Sequence, residues 1–180
     1  MPPLSFFDLW KSQARTFSDH WIIYGGFVAL LKSPHLYIAL LLTCISTWFW
    51  ATNDRHEYLT KASDLAISTV PNLLGFTVGA LAIVLAFSSA NIFNFLAEHG
   101  EPKSYFMKLT SALVHFISIQ VLALIIGIIA KVTDSRTLDV VSLFFLYYAV
   151  LVTFAAAMQL FLTAQIYNAH ASLKNEEREE

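Results

Sequence analysis

Four long apolar runs divide the chain, and short polar segments separate them. A hydrocarbon core about 30 Å thick is crossed by roughly 20 helical residues. We therefore predict four transmembrane helices, over about 36–51, 65–97, 109–130 and 140–170. The second run has no ionisable side chain in thirty-three residues, and the fourth is also longer than one span requires.

The segment before the first run, residues 1–35, mixes bulky rings with charge. Between Ser5 and about Ser18 this pattern predicts an amphipathic helix that lies in the membrane interface. The apolar stretch 20–31 is too short to span, so we interpret it as interfacial or re-entrant. Residues 171–180 form a charged tail, which we expect to be solvated or frayed. The predicted fold is an all-α integral membrane protein, a four-transmembrane-helix bundle preceded by an interfacial amphipathic helix.

Small residues recur on one stripe of the second predicted helix. Their spacings of four, three, four and four place them on one helical face: Gly75, Gly79, Ala82, Ala86 and Ala90. In lipid, close backbone approach along such a stripe is how helices pack. We expect this stripe to lie inside a bundle or at a contact between subunits. Together with Ala155–Ala157 on the fourth helix, it favours a homo-oligomer, with a tetramer as the expected form.

The composition agrees with lipid as the solvent. The 180 residues are 57% hydrophobic and 13% charged, about half the charged fraction of a soluble domain. No basic stripe of the kind required for direct nucleic-acid binding is present. The single cysteine, Cys44, lies in an apolar run, where we interpret it as a small buried hydrophobe.

The distribution of positive residues predicts the orientation. The N-terminal segment, the 98–108 connector and the tail hold seven of the eleven Lys and Arg residues, which favours both termini in the cytoplasm of a bacterial inner membrane protein. The excess lengths of the second and fourth helices then protrude into the cytosol, where they can dock a soluble protein. The candidate docking residues are Asn91, Asn94, Lys103, Lys108, Gln165 and His170.

Few groups in the apolar runs can carry chemistry. The central portions of the four spans contain no Asp, Glu, Lys or Arg, which argues against a proton-coupled or ion-coupled transporter. Phosphate-loop, dinucleotide, GxSxG and HExxH motifs are missing from the sequence, and its histidines lack metal-ligand spacing. We therefore expect no catalysis, no cofactor and no metal site.

The remaining candidates are polar residues within the spans, each open to two interpretations. Asn72, Thr77 and Gln120 either hold neighbouring helices together or line a pore in an oligomer. His115 either bonds to a neighbouring helix or senses pH or a ligand, because imidazole titrates near neutrality.

Two resemblances suggest functions. The stretch Val70–Gly75, continued by Gly79 and Leu85–Phe87, resembles the pore-helix segment of bestrophin-type anion channels, which pairs a proline with a following Leu-Gly and small residues. The match covers fewer than twenty residues. Where such channels continue with aromatic and Arg-Trp residues, this chain has Ser88–Phe93.

The second resemblance is one of architecture alone. A short bacterial protein with four transmembrane helices, cytosolic termini and no catalytic motif is similar to the membrane subunit of the two-component Kiwa anti-phage system, which works with a soluble partner. This resemblance implies a membrane sensor or scaffold that recruits a cytosolic effector. The alternative expectation is a small homo-oligomeric ion channel.

Overall fold

The computed structural model describes residues 5–52, 60–86 and 96–179, without the side chains of residues 60, 61, 99 and 170–179. The long elements of this part of the chain are all α-helices. They are α1 (Phe6–Tyr24), α2 (Gly26–Lys32), α3 (Pro34–Thr52), α4 (Thr60–Ala86), α5 (Tyr105–Thr133) and α6 (Arg136–Glu179). A short 3-10 turn, Glu98–Gly100, precedes α5.

Four of these helices are long and apolar enough to cross a membrane. Their candidate spans are Pro34–Thr52, Ala62–Ala86, Tyr105–Thr133 and Arg136–Ala169. The all-helical fold with four potential spans is therefore confirmed. The part of the second predicted span between residues 87 and 95 lies outside the described residues.

The three central spans form the core of the bundle. α4, α5 and α6 pack against one another, α3 packs on α6, and α1 packs on α5. One buried cluster contains Leu113, Phe116, Tyr148 and Val152, and a second contains Ala66, Val70, Ala123, Leu146 and Ala149. Most large apolar side chains of α3 are exposed. This helix therefore lies at the edge of the bundle.

The N-terminal helix is longer than the sequence pattern predicts. The Ser5 side chain caps it by accepting a hydrogen bond from the Asp8 amide at 3.2 Å. α1 continues past Ser18 to Tyr24, where Gly25 ends it with a φ of 103° that favours glycine. The stretch interpreted as re-entrant thus consists of the end of α1 and the short helix α2.

The C-terminal helix also exceeds its predicted bounds. α6 has 44 residues and continues as a helix through most of the segment expected to fray. Glu, Lys and Arg are good helix formers, so the charged sequence after residue 173 can extend an existing helix. At 1.5 Å per residue α6 is about 66 Å long, roughly twice the thickness of the hydrocarbon core.

Candidate functional site

A polar node at the centre of the bundle connects three helices. The Gln120 Nε2 on α5 donates to Thr77 Oγ1 on α4 at 2.8 Å and to Thr153 Oγ1 on α6 at 2.7 Å. Each threonine hydroxyl in turn donates to a main-chain oxygen of its own helix. Gln120 and Thr77 are fully buried. Both amide protons are therefore used to join helices within one chain.

Asn72 lies on a different face of α4. Its side chain is exposed, and the Nδ2 donates to the Ser68 main-chain oxygen at 3.5 Å, the long limit of a hydrogen bond. At 100° per residue, Asn72 is on nearly the opposite side of the helix from Thr77. The structure therefore does not bring Asn72 together with Thr77 and Gln120.

The small-residue stripe of α4 also faces away from the bundle. Gly75, Ala82 and Ala86 are exposed, Gly79 is half-buried, and Ala90 lies outside the described residues. A Cβ built on Gly75 or Gly79 would have no described atom within 4 Å, beyond its chain neighbours and helix backbone. Gly75 and Gly79 thus make no close contact with the other described helices, and the described part of the stripe forms, with Asn72, what we call the outer face of α4.

The close helix approach within the chain occurs elsewhere. A Cβ on Gly127 of α5 would lie 3.1 Å from the Ala66 Cβ and 3.5 Å from Ser142 Oγ. Four other small residues of α4 and α5 are also buried: Ala62, Ala66, Ala123 and Ala130. Small residues therefore pack α4 against α5, but on the face of α4 opposite to the stripe.

An aromatic and imidazole cluster joins α1 to α5. The Tyr24 ring stacks on the His115 ring, with centroids 4.0 Å apart and planes inclined by 19°. The Trp21 ring lies 6.1 Å from His115. His115 is 2% exposed, and its Nε2 has no hydrogen-bond partner in the described part of the chain. A buried imidazole nitrogen without a partner is costly unless something binds it.

His20 is held by a reciprocal contact with Ser111 of α5. His20 Nδ1 lies 2.9 Å from Ser111 Oγ, and Ser111 Oγ donates to the His20 main-chain oxygen, also at 2.9 Å. Burial lowers the pKa of the His20 imidazole below its usual 6.5 and raises the pKa of the Tyr24 hydroxyl. Both side chains are therefore neutral at pH 7.

A cleft of about 480 Å³ opens beside this cluster. α1 contributes Phe17, His20 and Trp21, and α2 contributes Leu30. The α5 wall consists of His115, Ile117, Ser118, Ile119, Val121, Leu122 and Ile125. Cavities of this volume are typical of small-molecule sites.

Three of the candidate docking residues lie near one end of the bundle. The Tyr105 hydroxyl at the start of α5 lies 3.4 Å from Thr163 Oγ1 of α6, so α6 continues past the beginning of α5. Lys103, Lys108 and Gln165 are exposed near this level. Asn91 and Asn94 lie outside the described residues, as does the side chain of His170.

Some residues of the site were not singled out from the sequence. His20, Trp21 and Tyr24 share one face of α1 and meet His115 only through tertiary packing, although their i, i+1, i+4 spacing was a usable signal. Asp139, in the first turn of α6, is 3% exposed and accepts a hydrogen bond from Ser63. Cys44, expected to be buried, is exposed on α3.

In the described residues, no three His, Cys, Asp or Glu side chains are grouped so that they could hold a metal ion. Comparison of the chain with protein-family models, with curated proteins and with solved structures gives no match.

Proposed function

We propose that this protein is a homo-oligomeric, membrane-embedded scaffold or sensor that recruits a soluble cytosolic protein. The observation that carries the proposal is the length of α6, which is about twice what a membrane crossing needs. Beyond Thr163, where α6 lies beside the start of α5, sixteen helical residues remain. At 1.5 Å per residue they form an arm about 24 Å long. The charged composition of its end suits contact with a soluble protein better than contact with lipid.

The outer face of α4 supports self-association. Beside lipid, the exposed Asn72 amide would keep only one long hydrogen bond, whereas a second copy can supply partners for it. The glycines next to it permit close backbone approach because no atom of another described helix occupies their side. A tetramer is the proposed number. Native mass spectrometry of the protein in nanodiscs measures that number directly.

The proposed location is a bacterial inner membrane, with both termini in the cytoplasm. This orientation places the α6 arm, together with Lys103 and Lys108, on the side that carries most of the positive charge. Accessibility of a C-terminal cysteine tag to a membrane-impermeant reagent in intact cells tests it. Labelling of intact cells would contradict this orientation.

A pair of photo-crosslinker positions tests the recruitment. A benzoylphenylalanine residue at Gln165, exposed on the α6 arm, should capture one soluble protein in the native cell. The same residue at Phe154, exposed but within the span, is the matched control and should capture only lipid or other copies. Truncation after Gln165 should abolish co-purification of the captured protein. Unchanged co-purification would contradict the proposal.

The biological setting that we propose is anti-phage defence, on the likeness in architecture to the Kiwa membrane subunit. Expression of the protein with its captured partner should reduce plaque numbers on a sensitive host. The truncated form should lose this protection while it still inserts in the membrane. Equal plaque numbers with and without the full-length protein and its partner would contradict the defence role but not the recruitment of the partner.

The second candidate function is a homo-oligomeric ion channel, for which the bestrophin-type anion pore is the specific form. It is favoured by Asn72, a polar side chain on the outer face of α4 that could line an axis between subunits. Single-channel recordings of the purified oligomer distinguish the two functions, with Asn72→Leu as the test variant. A conductance that Asn72→Leu alters would support the channel. If the wild-type oligomer shows no conductance at any potential, the scaffold is supported.

A further inference from the structure

The cleft between α1, α2 and α5 has the construction of a ligand site, which goes beyond the proposed scaffold function and does not depend on it. Two histidines line an otherwise largely apolar wall. His20 comes from α1 and His115 from α5. Among the described residues that line the cleft, none is Asp, Glu, Lys or Arg.

The hydrogen bonds of His20 determine its tautomer. The Ser111 hydroxyl has one proton and gives it to the His20 main-chain oxygen, which can only accept. The neutral imidazole must therefore donate its own proton from Nδ1 to Ser111 Oγ. Its Nε2 is then left without a proton and can only accept a hydrogen bond. The lowered pKa of His20 keeps this acceptor available at neutral pH.

His115 provides the second nitrogen. Its side chain is 98% buried, Tyr24 covers one face of its ring, and its Nε2 lacks a partner in the described residues. The Ser118 hydroxyl donates its proton to the Val114 main-chain oxygen, and Trp21 contributes an indole N–H, which can only donate. Among the described residues that line the cleft, the nitrogen acceptors for a ligand hydroxyl are therefore those of the two imidazoles.

The apolar side chains that line the cleft indicate which chemical groups a ligand would need besides a hydrogen-bond donor. Phe17 and Trp21 present aromatic surface from α1, while Val121, Leu122 and Ile125 of α5 are each about 40% to 47% exposed. These α5 residues lie near the middle of a span, so the cleft opens toward the membrane and not toward water. An uncharged ring with an alkyl chain would match this surface.

We propose that the cleft binds a neutral, membrane-dissolved alkylphenol or quinol, whose hydroxyl donates to an imidazole nitrogen while its ring lies against Phe17 and Trp21. An anionic headgroup is disfavoured because the cleft offers no cation to pair with it. A plain hydrocarbon chain would fill the volume but leave the imidazole nitrogens without partners.

Photoaffinity labelling in phosphatidylcholine nanodiscs tests the site with a matched pair of probes. One probe is an alkylphenol with a diazirine in its chain, and the other is the corresponding alkylbenzene without the hydroxyl. Labelling is mapped by mass spectrometry to peptides that cover residues 17–30 and 114–125. The phenol should label these peptides about tenfold more than the alkylbenzene at equal concentration in the membrane, because one hydrogen bond to a buried acceptor is worth roughly that factor.

Three variants complete the design. His115→Phe and His20→Phe keep an aromatic ring but remove the nitrogens. A phenol has one hydroxyl proton to donate, so the variant that lacks the accepting nitrogen should reduce the phenol preference to near one. His35→Phe is the matched control, because His35 is half-buried like His20 but lies outside the cleft, and it should keep the preference. Equal labelling by the two probes in the wild type would overturn the proposal and identify the occupant as an acyl chain. A preference that persists in both cleft variants would overturn it as well.

A cleft-filling variant covers the case in which the imidazole substitutions disturb the fold. Leu122 is 40% exposed at the cleft, so Leu122→Trp can be accommodated without entering the core. It should reduce phenol labelling several-fold while its helicity and melting temperature remain those of the wild type. Unchanged labelling in this variant would place the phenol elsewhere and contradict the proposal.

Discussion

Gly127 on α5 lies against Ala66 on α4 so closely that a Cβ built on the glycine would come within 3.1 Å of the Ala66 Cβ. A Cβ built on Gly79, on the outer face of α4, would meet no described atom within 4 Å beyond its chain neighbours and helix backbone. The same substitution at each glycine can therefore distinguish packing within the chain from the proposed packing between chains.

Gly127→Leu should destabilise the monomer, because overpacking a tight contact typically costs about 1–3 kcal/mol. Gly79→Leu should not destabilise the monomer, because the new side chain would begin where no described atom of the bundle lies within 4 Å and leucine is the better helix former. Titration with a denaturing detergent, followed by circular dichroism, measures both. The Gly79 variant should instead lose the oligomer in native mass spectrometry. An intact oligomer in Gly79→Leu would contradict self-association through the outer face of α4.

The second prediction concerns how much the hydrogen bonds of Gln120 contribute to the free energy of unfolding. Hydrogen bonds between membrane helices average about 0.6 kcal/mol, so Gln120→Leu, which keeps most of the volume, should cost only about 1 kcal/mol. Gln120→Ala leaves a cavity at a fully buried position and should cost about 2 kcal/mol or more. The same detergent titration compares them. Equal losses in the two variants would show that the polar contacts, and not packing, determine the stability of the node.

The ion pair between Lys131 of α5 and Asp64 of α4 should contribute little. Both side chains are more than half exposed, and exposed pairs are typically worth about 0.2–1 kcal/mol. Lys131→Gln should therefore change the unfolding free energy by less than about 1 kcal/mol. Lys108→Gln, at an exposed position on the same helix, is the control. A loss of several kcal/mol in Lys131→Gln alone would show that the pair is shielded from water in the membrane-embedded protein.

The sequence was sufficient to predict which segments are long apolar helices, but not where those helices end. Hydrophobic length determines a span, whereas ends depend on local caps. α5 begins at Tyr105, not near residue 109, because the Ser104 side chain accepts a hydrogen bond from the Met107 amide. It extends to Thr133 because Asp134 adopts a left-handed conformation just beyond it.

The candidate sites illustrate a different limit. The spacing of Gly75, Gly79 and the alanines after them reveals that they share a face, but the direction of that face depends on the neighbouring helices. The contact of His20 with Ser111 joins positions 91 residues apart, and no local pattern contains that information. The contacts of Gln120 could be predicted in part, because a polar residue in an apolar span indicates a contact with another helix but does not identify the partner residue.

The docking of α1 on α5 should depend on pH through His20. Burial lowers the pKa of this imidazole below 6.5, so the docked helix favours the neutral form, whereas an undocked helix exposes an imidazole of ordinary pKa. As the pH falls below about 6.5, the undocked state binds the proton first, and docking weakens by at most about 1.4 kcal/mol per pH unit. The titratable groups beside His20 include His115 of α5, Tyr24 of its own helix and Asp19, which precedes it in the chain.

Hydrogen exchange of the α1 amides, corrected for the intrinsic effect of pH, measures this dependence. Protection of residues 17–24 should be high at pH 7.5 and fall toward pH 5. His20→Gln should flatten the profile because its amide can still contact Ser111 but does not titrate in this range. His35→Gln should behave like the wild type, since His35 contacts Ser33 outside α1. If the wild type and His20→Gln lost protection equally at pH 5, another group would control the docking, and the neutral-imidazole acceptor assigned to His20 would lose its support.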